Sequence, residues 1–243
     1  RRLGCDPAEL TFTSCGTEGD NWAVRAAAEH GRRRGRHIIT TAIEHAAVLE
    51  PVKALAAQGF EVTYLKPDRT GHISADELRA ALREDTVLVS MMLVNNELGT
   101  LQPVAQAAQA IRDAGSPALL HCDAVQGFLK VPFTPARLGV DMLTLSGHKL
   151  RAPKGIGVQY IRKGLNLKPL LLGGGQESGL RSGTEPTAQI AALAAACGSW
   201  GEDYPARIGS LKEYALEALS ALPGLEIVSR GDAPHICAVS LPG

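Results

Sequence analysis

Along this 243-residue chain, short apolar runs alternate with longer stretches whose apolar positions recur at helical spacing. Residues 10–13 predict a short strand, and 16 to about 34 a helix that buries Trp22, Val24 and Ala26 to Ala28. Residues 37–41 predict the next strand, 46–58 a helix and 60–65 a third strand. Ser74 followed by Glu77 is a capping-box pattern, which opens a helix to about residue 83. Residues 86–94 read as one long buried strand, 103 to about 115 as a helix, and 118–122, 141–145 and 155–161 as further strands. Beyond them, an alanine-rich helix spans about 185–197 and a second helix 208–222, with Pro205 between them and Pro223-Gly224 as the stop. Residues 225–228 and 235–240 predict two late strands.

Strand–helix alternation with apolar strands implies an α/β fold, a mostly parallel mixed sheet flanked by helices. Residues 1–199 would form this large domain, and 200–243 would begin a small C-terminal α+β domain. In parallel sheets, ligands bind beyond the carboxyl ends of the strands. Polar clusters fall at such ends repeatedly. They are Thr13 to Glu18, Glu44-His45, Asn95-Asn96-Glu97, Asp123 to Gln126, and Ser146-Gly147-His148-Lys149. Clusters so placed can converge on one pocket.

Composition narrows the class. Hydrophobic residues make up 45% of the chain, enough for a full core, and 25 basic residues balance 25 acidic ones. Nothing steers the chain globally toward nucleic acid or an anionic membrane surface. The one basic run, Arg32-Arg33-Arg34-Gly35-Arg36, fits a helix end, where cations meet the negative end of the dipole. Cys5, Cys15, Cys122, Cys197 and Cys237 are widely spaced and form no CxxC pair. That argues against a disulfide framework or a structural metal site, and for a reducing, cytoplasmic setting. No apolar run reaches the length of a membrane span, and no secretory signal opens the chain. The chain begins at Arg1 and stops just after an apolar run, so both ends read as cut.

Lys149 carries the sharpest chemistry. A lysine at the end of a buried strand, held out of bulk water, can lose its charge and attack a carbonyl, which is how an enzyme holds pyridoxal phosphate. Ser146 and His148 are suited to grip a phosphate beside it. Such a site also needs a carboxylate that keeps the ring nitrogen protonated, so that the ring can act as an electron sink. Asp123 fits that part, and it also fits a cap or turn. His45 can stack on the ring or simply start a helix. Gly16-Thr17 opens a helix whose free N–H groups make an anion site, and Thr17 is equally an ordinary helix-start residue. Asn96 and Gln126 are amides able to reach the ring oxygen or the substrate, or to serve their own loops.

Six segments occur in one order: Phe12-Thr13-Ser14-Cys15-Gly16-Thr17-Glu18, Glu44-His45, Val94 to Gly99 with Gln102-Pro103, His121 to Gln126, Ser146 to Lys149 with Pro153 to Gly157, and Gly173 to Glu177 with Arg181 to Thr184. This ordered set resembles the cysteine desulfurases, class V aminotransferase-like enzymes of PLP fold type I, in the branch serving nitrogenase and iron–sulfur assembly. The resemblance implies conversion of L-cysteine to L-alanine, with sulfur passed as a persulfide to an acceptor or scaffold protein for iron–sulfur cluster or thio-cofactor assembly. It implies that Lys149 carries pyridoxal 5'-phosphate and moves protons, and that His45 stacks on the ring. Asp123 would pair with the ring nitrogen, Gln126 with the ring oxygen, and Asn96 with cofactor and substrate. Gly16, Thr17, Ser146 and His148 would hold the phosphate. Thr184 would reach the phosphate of a partner subunit, which implies a homodimer.

Three departures stand out. Gly16 replaces a usual alanine. Arg151-Ala152 replaces an aromatic or histidine followed by glycine, so Ala152 is expected to be strained if its backbone needs positive φ. The resemblance implies a persulfide-forming cysteine in a glycine- and serine-rich loop of the small domain and, further on, an arginine for the substrate carboxylate; none of the five cysteines has that setting, so both are expected beyond Gly243. The rival readings are a selenocysteine lyase or another PLP lyase on this scaffold, and a non-catalytic interaction protein that keeps the pocket. A metal hydrolase built on Glu44, His45, His121, Asp123 and His148 lacks compact ligand spacing.

Overall fold

The computed structural model describes residues 1–241. Its centre is a seven-stranded sheet of β1 (Leu10–Thr13), β2 (His37–Thr41), β3 (Glu61–Leu65), β4 (Thr86–Ser90), β5 (Leu119–Asp123), β6 (Met142–Ser146) and β7 (Gly157–Ile161), in the order β1-β7-β6-β5-β4-β2-β3. Strands β6, β5, β4, β2 and β3 run parallel. Strand β7 runs against both of its neighbours, β6 and β1. This is the mostly parallel mixed α/β sheet expected from the strand–helix alternation.

Alternation along each strand builds three layers. Ile38, Leu88, Leu119 and Met142 face α1 (Gly16–Gly31) and α2 (Ala46–Ala56), where Trp22, Val24, Val48 and Val52 pack on them. Their neighbours Ile39, Val89, Leu120 and Leu143 face the other layer, which holds α3 (Ala75–Ala81), α4 (Val104–Asp113) and α5 (Pro135–Leu138). Two long helices follow, α6 (Thr187–Ser199) and α7 (Tyr204–Ser220). Strands β8 (Glu226–Ser229) and β9 (Ala238–Ser240) pair antiparallel as a separate two-stranded sheet. The loop between them docks on residues 98–101. Ala233 N–H donates to Gly99 O, and Asp232 Oδ2 accepts from Leu101 N–H.

Some boundaries differ from the sequence expectation for physical reasons. Helix α1 stops at Gly31, where a Cβ would lie 2.4 Å from the Cβ of Val87, and a turn through Arg32 to Arg34 follows. The long apolar run breaks at Ser90, yet Met91 and Leu93 still donate N–H to His121 O and Asp123 O, so the chain keeps following β5. Pro205 lies in the first turn of α7 rather than before it. Its missing N–H has no helical partner to lose there.

On the α1 side, the sheet changes character along its length. It is apolar at Leu88, Leu119 and Met142, then polar at Ser90, His121, Asp123, Thr144 and Gln159, all buried. His121 Nδ1 lies 2.9 Å from Ser90 Oγ, and Nε2 lies 3.0 Å from Thr144 Oγ1. Thr144 donates onward to Gln159 Oε1, so its oxygen accepts from His121 Nε2–H, and Ser90 donates to Nδ1. Burial holds the His121 imidazole down at about 3. Nearby, Glu44 Oε1 accepts from Thr41 Oγ1 and Met92 N–H, both at 2.8 Å, while Oε2 has no partner. Burial, opposed by those two donors and reinforced by Asp123, pushes the Glu44 carboxyl up to about 8.

These two groups set opposite pH slopes. Below about pH 6.5 the unfolded chain binds a proton that folded His121 refuses, so this group makes stability climb as pH rises. Up to about pH 8, folded Glu44 keeps a proton that the unfolded chain has released, so stability falls as pH rises. Between about 6.5 and 8 the histidine no longer opposes the loss, and Glu44 contributes a slope of about 1.4 kcal/mol per pH unit. Urea unfolding should therefore show stability declining across that window, with Glu44→Gln making the decline shallower, while the raised Asp20 carboxyl adds a decline of the same sign that the variant keeps. An equally steep decline in the variant would remove Glu44 as its source.

Candidate active site

The polar strand-end clusters meet. Gly16, Thr17, His45, Asn96, Asp123, Gln126, Ser146, His148 and Lys149 all line one cavity of about 360 Å³, joined by Cys15, Asp20, Met92, Val94 and Val125. That volume suits a small-molecule ligand. A larger cavity of about 520 Å³ is lined mainly by apolar side chains such as Leu10, Phe128 and Leu193, and offers few polar groups for chemistry.

One part of the cavity is built for an anion. Cys15 precedes α1 in an extended conformation and makes no side-chain cap bond, so the first N–H groups of the helix stay available. Gly16 is buried there. A Cβ would lie 3.0 Å from Val125 Cγ2 and 3.4 Å from Ser146 Cβ, which keeps the backbone close to the cavity. Ser146 Oγ and His148 Nδ1 are 2.7 Å apart. Partial burial, with Lys149, Lys130 and Lys154 around it, holds His148 below its usual range.

Lys149 departs from one expectation. It lines the cavity, but its side chain is exposed rather than held out of water, because β6 ends at Ser146 and the next short turn carries Lys149 to the rim. The more deeply buried lysine is Lys130, 5% exposed, where burial and the Lys149 charge pull the ammonium down to about 8.

Another part of the cavity is acidic. Asp123 ends β5 and is 7% exposed, and its Oδ1 accepts from Val125 N–H at 2.9 Å. Burial raises its pKa, while that N–H, His45 and Lys149 pull the other way. His45 caps α2, with Nδ1 accepting from Ala47 N–H at 3.1 Å. Only Nε2 of this ring is then free to exchange a proton. Asn95 is a scaffold: Oδ1 accepts from Glu97 and Leu98 N–H, and Nδ2 donates to Ile43 O. It fixes the turn that presents Asn96 to the cavity.

Two further residues are placed by the structure. Thr184 stands apart, in a cavity of about 210 Å³ with Glu177 and Arg181. The left-handed residue after Lys149 is Arg151, at φ 62°, and Ala152 is not among the residues with positive φ. The strain expected at Ala152 therefore falls one position earlier. Asp20 is the site residue that sequence reasoning passed over. Its signal was present, since it shares the buried stripe of α1 with Gly16, Gly19, Ala23 and Ala27.

The arrangement fits a ligand carrying both an anionic group and a basic ring nitrogen: helix N–H groups and hydroxyls serve the first, and a buried carboxylate the second. Comparison with known proteins identifies the family. The aminotransferase class V family matches residues 3–243. A cysteine desulfurase IscS of Methanosarcina thermophila is 48% identical over 191 residues, 79% of this chain and 47% of that protein. A cysteine desulfurase IscS of Salmonella newport is 40% identical over 245 residues, 98% of this chain and 60% of that protein. The chain thus spans about half the length of the curated relatives it matches. A solved NifS-like protein superposes with a TM-score of 0.90 at 41% identity, covering 99% of this chain and 67% of the other. A structure of SspA in complex with cysteine superposes with a TM-score of 0.81 at 39% identity, covering 89% and 62%. The chain belongs to the class V aminotransferase family.

Proposed function

We propose that this chain carries the cofactor site of a PLP-dependent cysteine desulfurase. The whole enzyme would convert L-cysteine to L-alanine and pass the sulfur as a persulfide to an acceptor for iron–sulfur cluster or thio-cofactor assembly. The observation that carries this reading is convergence. Nine residues from separate strand-end segments line one cavity of small-molecule size. Relatives named cysteine desulfurase, and one relative solved with cysteine, support the substrate.

Pyridoxal phosphate, when bound, supplies an electron sink for bond breaking at the substrate's α-carbon. The chain's own residues would do the rest. The N-terminus of α1, with Thr17, Ser146 and His148, would bind the phosphate. Asp123 would hold the proton on the ring nitrogen by charge pairing. His45 would cover the ring face, with Nε2 as its free nitrogen. Lys149, exposed at the rim, would bond the cofactor and move protons at the substrate. Gln126 and Asn96 would orient cofactor and substrate from their turns.

The separate cavity at Thr184 supports a role toward a second copy, and we place the site in a homodimer. The two-stranded sheet of β8 and β9 supports a division into residues 1–199 and 200–243. No helix among the described residues is long and apolar enough to cross a membrane, and we place the protein in the cytoplasm.

Lys149 is expected to bind the cofactor covalently. Borohydride reduction of the cofactor-loaded protein should fix the label on the peptide containing Lys149, and Lys149→Ala should abolish both this label and alanine formation from L-cysteine by the full-length enzyme. A label on another lysine would refute the assignment. Asp123→Asn should weaken cofactor binding at least tenfold, about 1.4 kcal/mol. Asp141→Asn should leave it nearly unchanged, because Asp141 serves Leu120 N–H and Arg162 away from the cavity. Equal losses in the two variants would remove the reason for choosing Asp123.

A further inference from the structure

Asp20 has no part in the reading above, yet it lines the same cavity as Asp123. It is 1% exposed, and its Oδ1 has no hydrogen-bond partner. The nearest base is His121, whose Nε2 lies 3.5 Å from that oxygen. His121 sits two residues before Asp123 on β5, so the two side chains share the face that α1 covers.

The network around His121 leaves Asp20 without a cation. Ser90 donates to Nδ1, Nε2–H is aimed at Thr144 at 3.0 Å, and Thr144 donates to Gln159. The buried imidazole is neutral, and the Thr144 hydroxyl is the one donor that also favours an ionised Asp20. The other titratable groups acting on Asp20 are Asp123 on β5, Glu44 before α2, and Cys15 at the start of α1. All three are anionic when ionised, and all oppose a negative charge on Asp20. The dipole of α1 favours such a charge only within the first turn, and Asp20 lies just past it. Burial, followed by the charge of Asp123, raises the Asp20 carboxyl well above its usual range, against the pull of the Thr144 hydroxyl. Asp123, by contrast, has Val125 N–H, His45 and Lys149 in its favour.

We propose that Asp20 is a positioning residue for Asp123: a carboxyl that keeps its own proton and lines the cavity as a neutral polar neighbour, so that the single negative charge there rests on Asp123 and meets a protonated heteroaromatic nitrogen. This rests on the assignment of Asp123 as the partner of the ring nitrogen. The pair keeps one proton throughout, and binding a protonated ring releases none. Two ionised carboxylates would instead repel each other and leave one buried charge unpaired.

Carbon-13 NMR of the protein without cofactor, labelled at aspartate carboxyls and assigned through bonds, reads both groups directly. Asp20 should remain protonated at neutral pH. Asp20→Asn keeps a neutral polar group and should leave the Asp123 midpoint and the pH profile of the cofactor's absorption where they were. Asp20→Leu deepens the desolvation of ionised Asp123, and should raise its midpoint by about one pH unit and weaken cofactor binding about tenfold. An Asp20 that serves the fold alone would change unfolding but leave the Asp123 midpoint in place, which overturns the proposal. So would an ionised Asp20 at neutral pH in the parent protein, a result that needs no variant to fold. Should the protein bind no pyridoxal phosphate, the functional reading fails, while the carboxyl titration still decides the state of Asp20.

Discussion

The closeness of α1 to the sheet governs the rest of the structure. At Gly19 there is no space for a side chain: a Cβ would lie 2.7 Å from Thr144 Cγ2 and 2.9 Å from Gln159 Oε1. This contact brings the helix down over β6 and β7 and sets its N-terminus beside Val125 and Ser146. It also drives Asp20 under the helix, against the polar half of the sheet. A larger residue at position 19 would lift the helix, and the anion cradle and the carboxyl pair would separate together. The geometry of the site is thus a packing consequence before it is a chemical one.

That packing would be untenable if the face beneath it were polar and unsatisfied. The structure solves the problem unevenly. The chain from Ser90 through His121 and Thr144 to Gln159 gives each of these buried side chains a hydrogen-bond partner. Two buried carboxyls near this network are treated differently. Asp20 Oδ1 and Glu44 Oε2 are buried without partners. Unsatisfied buried groups carry a cost of about 1–3 kcal/mol each, and such local exceptions concentrate at functional sites. The satisfied network therefore acts as a floor, and of the two unsatisfied carboxyls Asp20 lines the cavity.

The sequence made the convergence legible because parallel strands impose it. The parallel strands β2, β5 and β6 end on the same side of the sheet, so His45, Asp123 and Ser146 had to meet once the alternation was recognised. What stayed hidden depended on distances rather than order. The helical stripe it shares with Gly16, Ala23 and Ala27 marks Asp20 for burial, but only the approach of α1 sets it against the polar half of the sheet. The exposure of Lys149 depends on how far the short turn after Ser146 carries it, which no periodicity reports. The turn around Arg151 was anticipated, but its left-handed residue was placed one position late, since the tetrapeptide's neighbours do not say which residue takes positive φ.

Arg151 explains how that turn is kept. A left-handed conformation costs a non-glycine residue roughly 1–2 kcal/mol. The side chain returns a comparable amount through distant contacts. Arg151 donates to Tyr204 Oη at 2.9 Å, and its guanidinium lies 5.3 Å from the Tyr204 ring centre and 5.9 Å from that of Trp200. Stacking of this kind is worth about 0.5–1 kcal/mol at exposed sites. Trp200 in turn donates its indole N–H to Leu150 O at 3.3 Å. The segment bearing Lys149 is therefore held by the start of α7, some fifty residues later, and not by its own conformational preference. An exposed lysine on a turn clamped from behind keeps a fixed origin while its long side chain stays free to move, which suits the role proposed for Lys149 in holding a cofactor and moving protons.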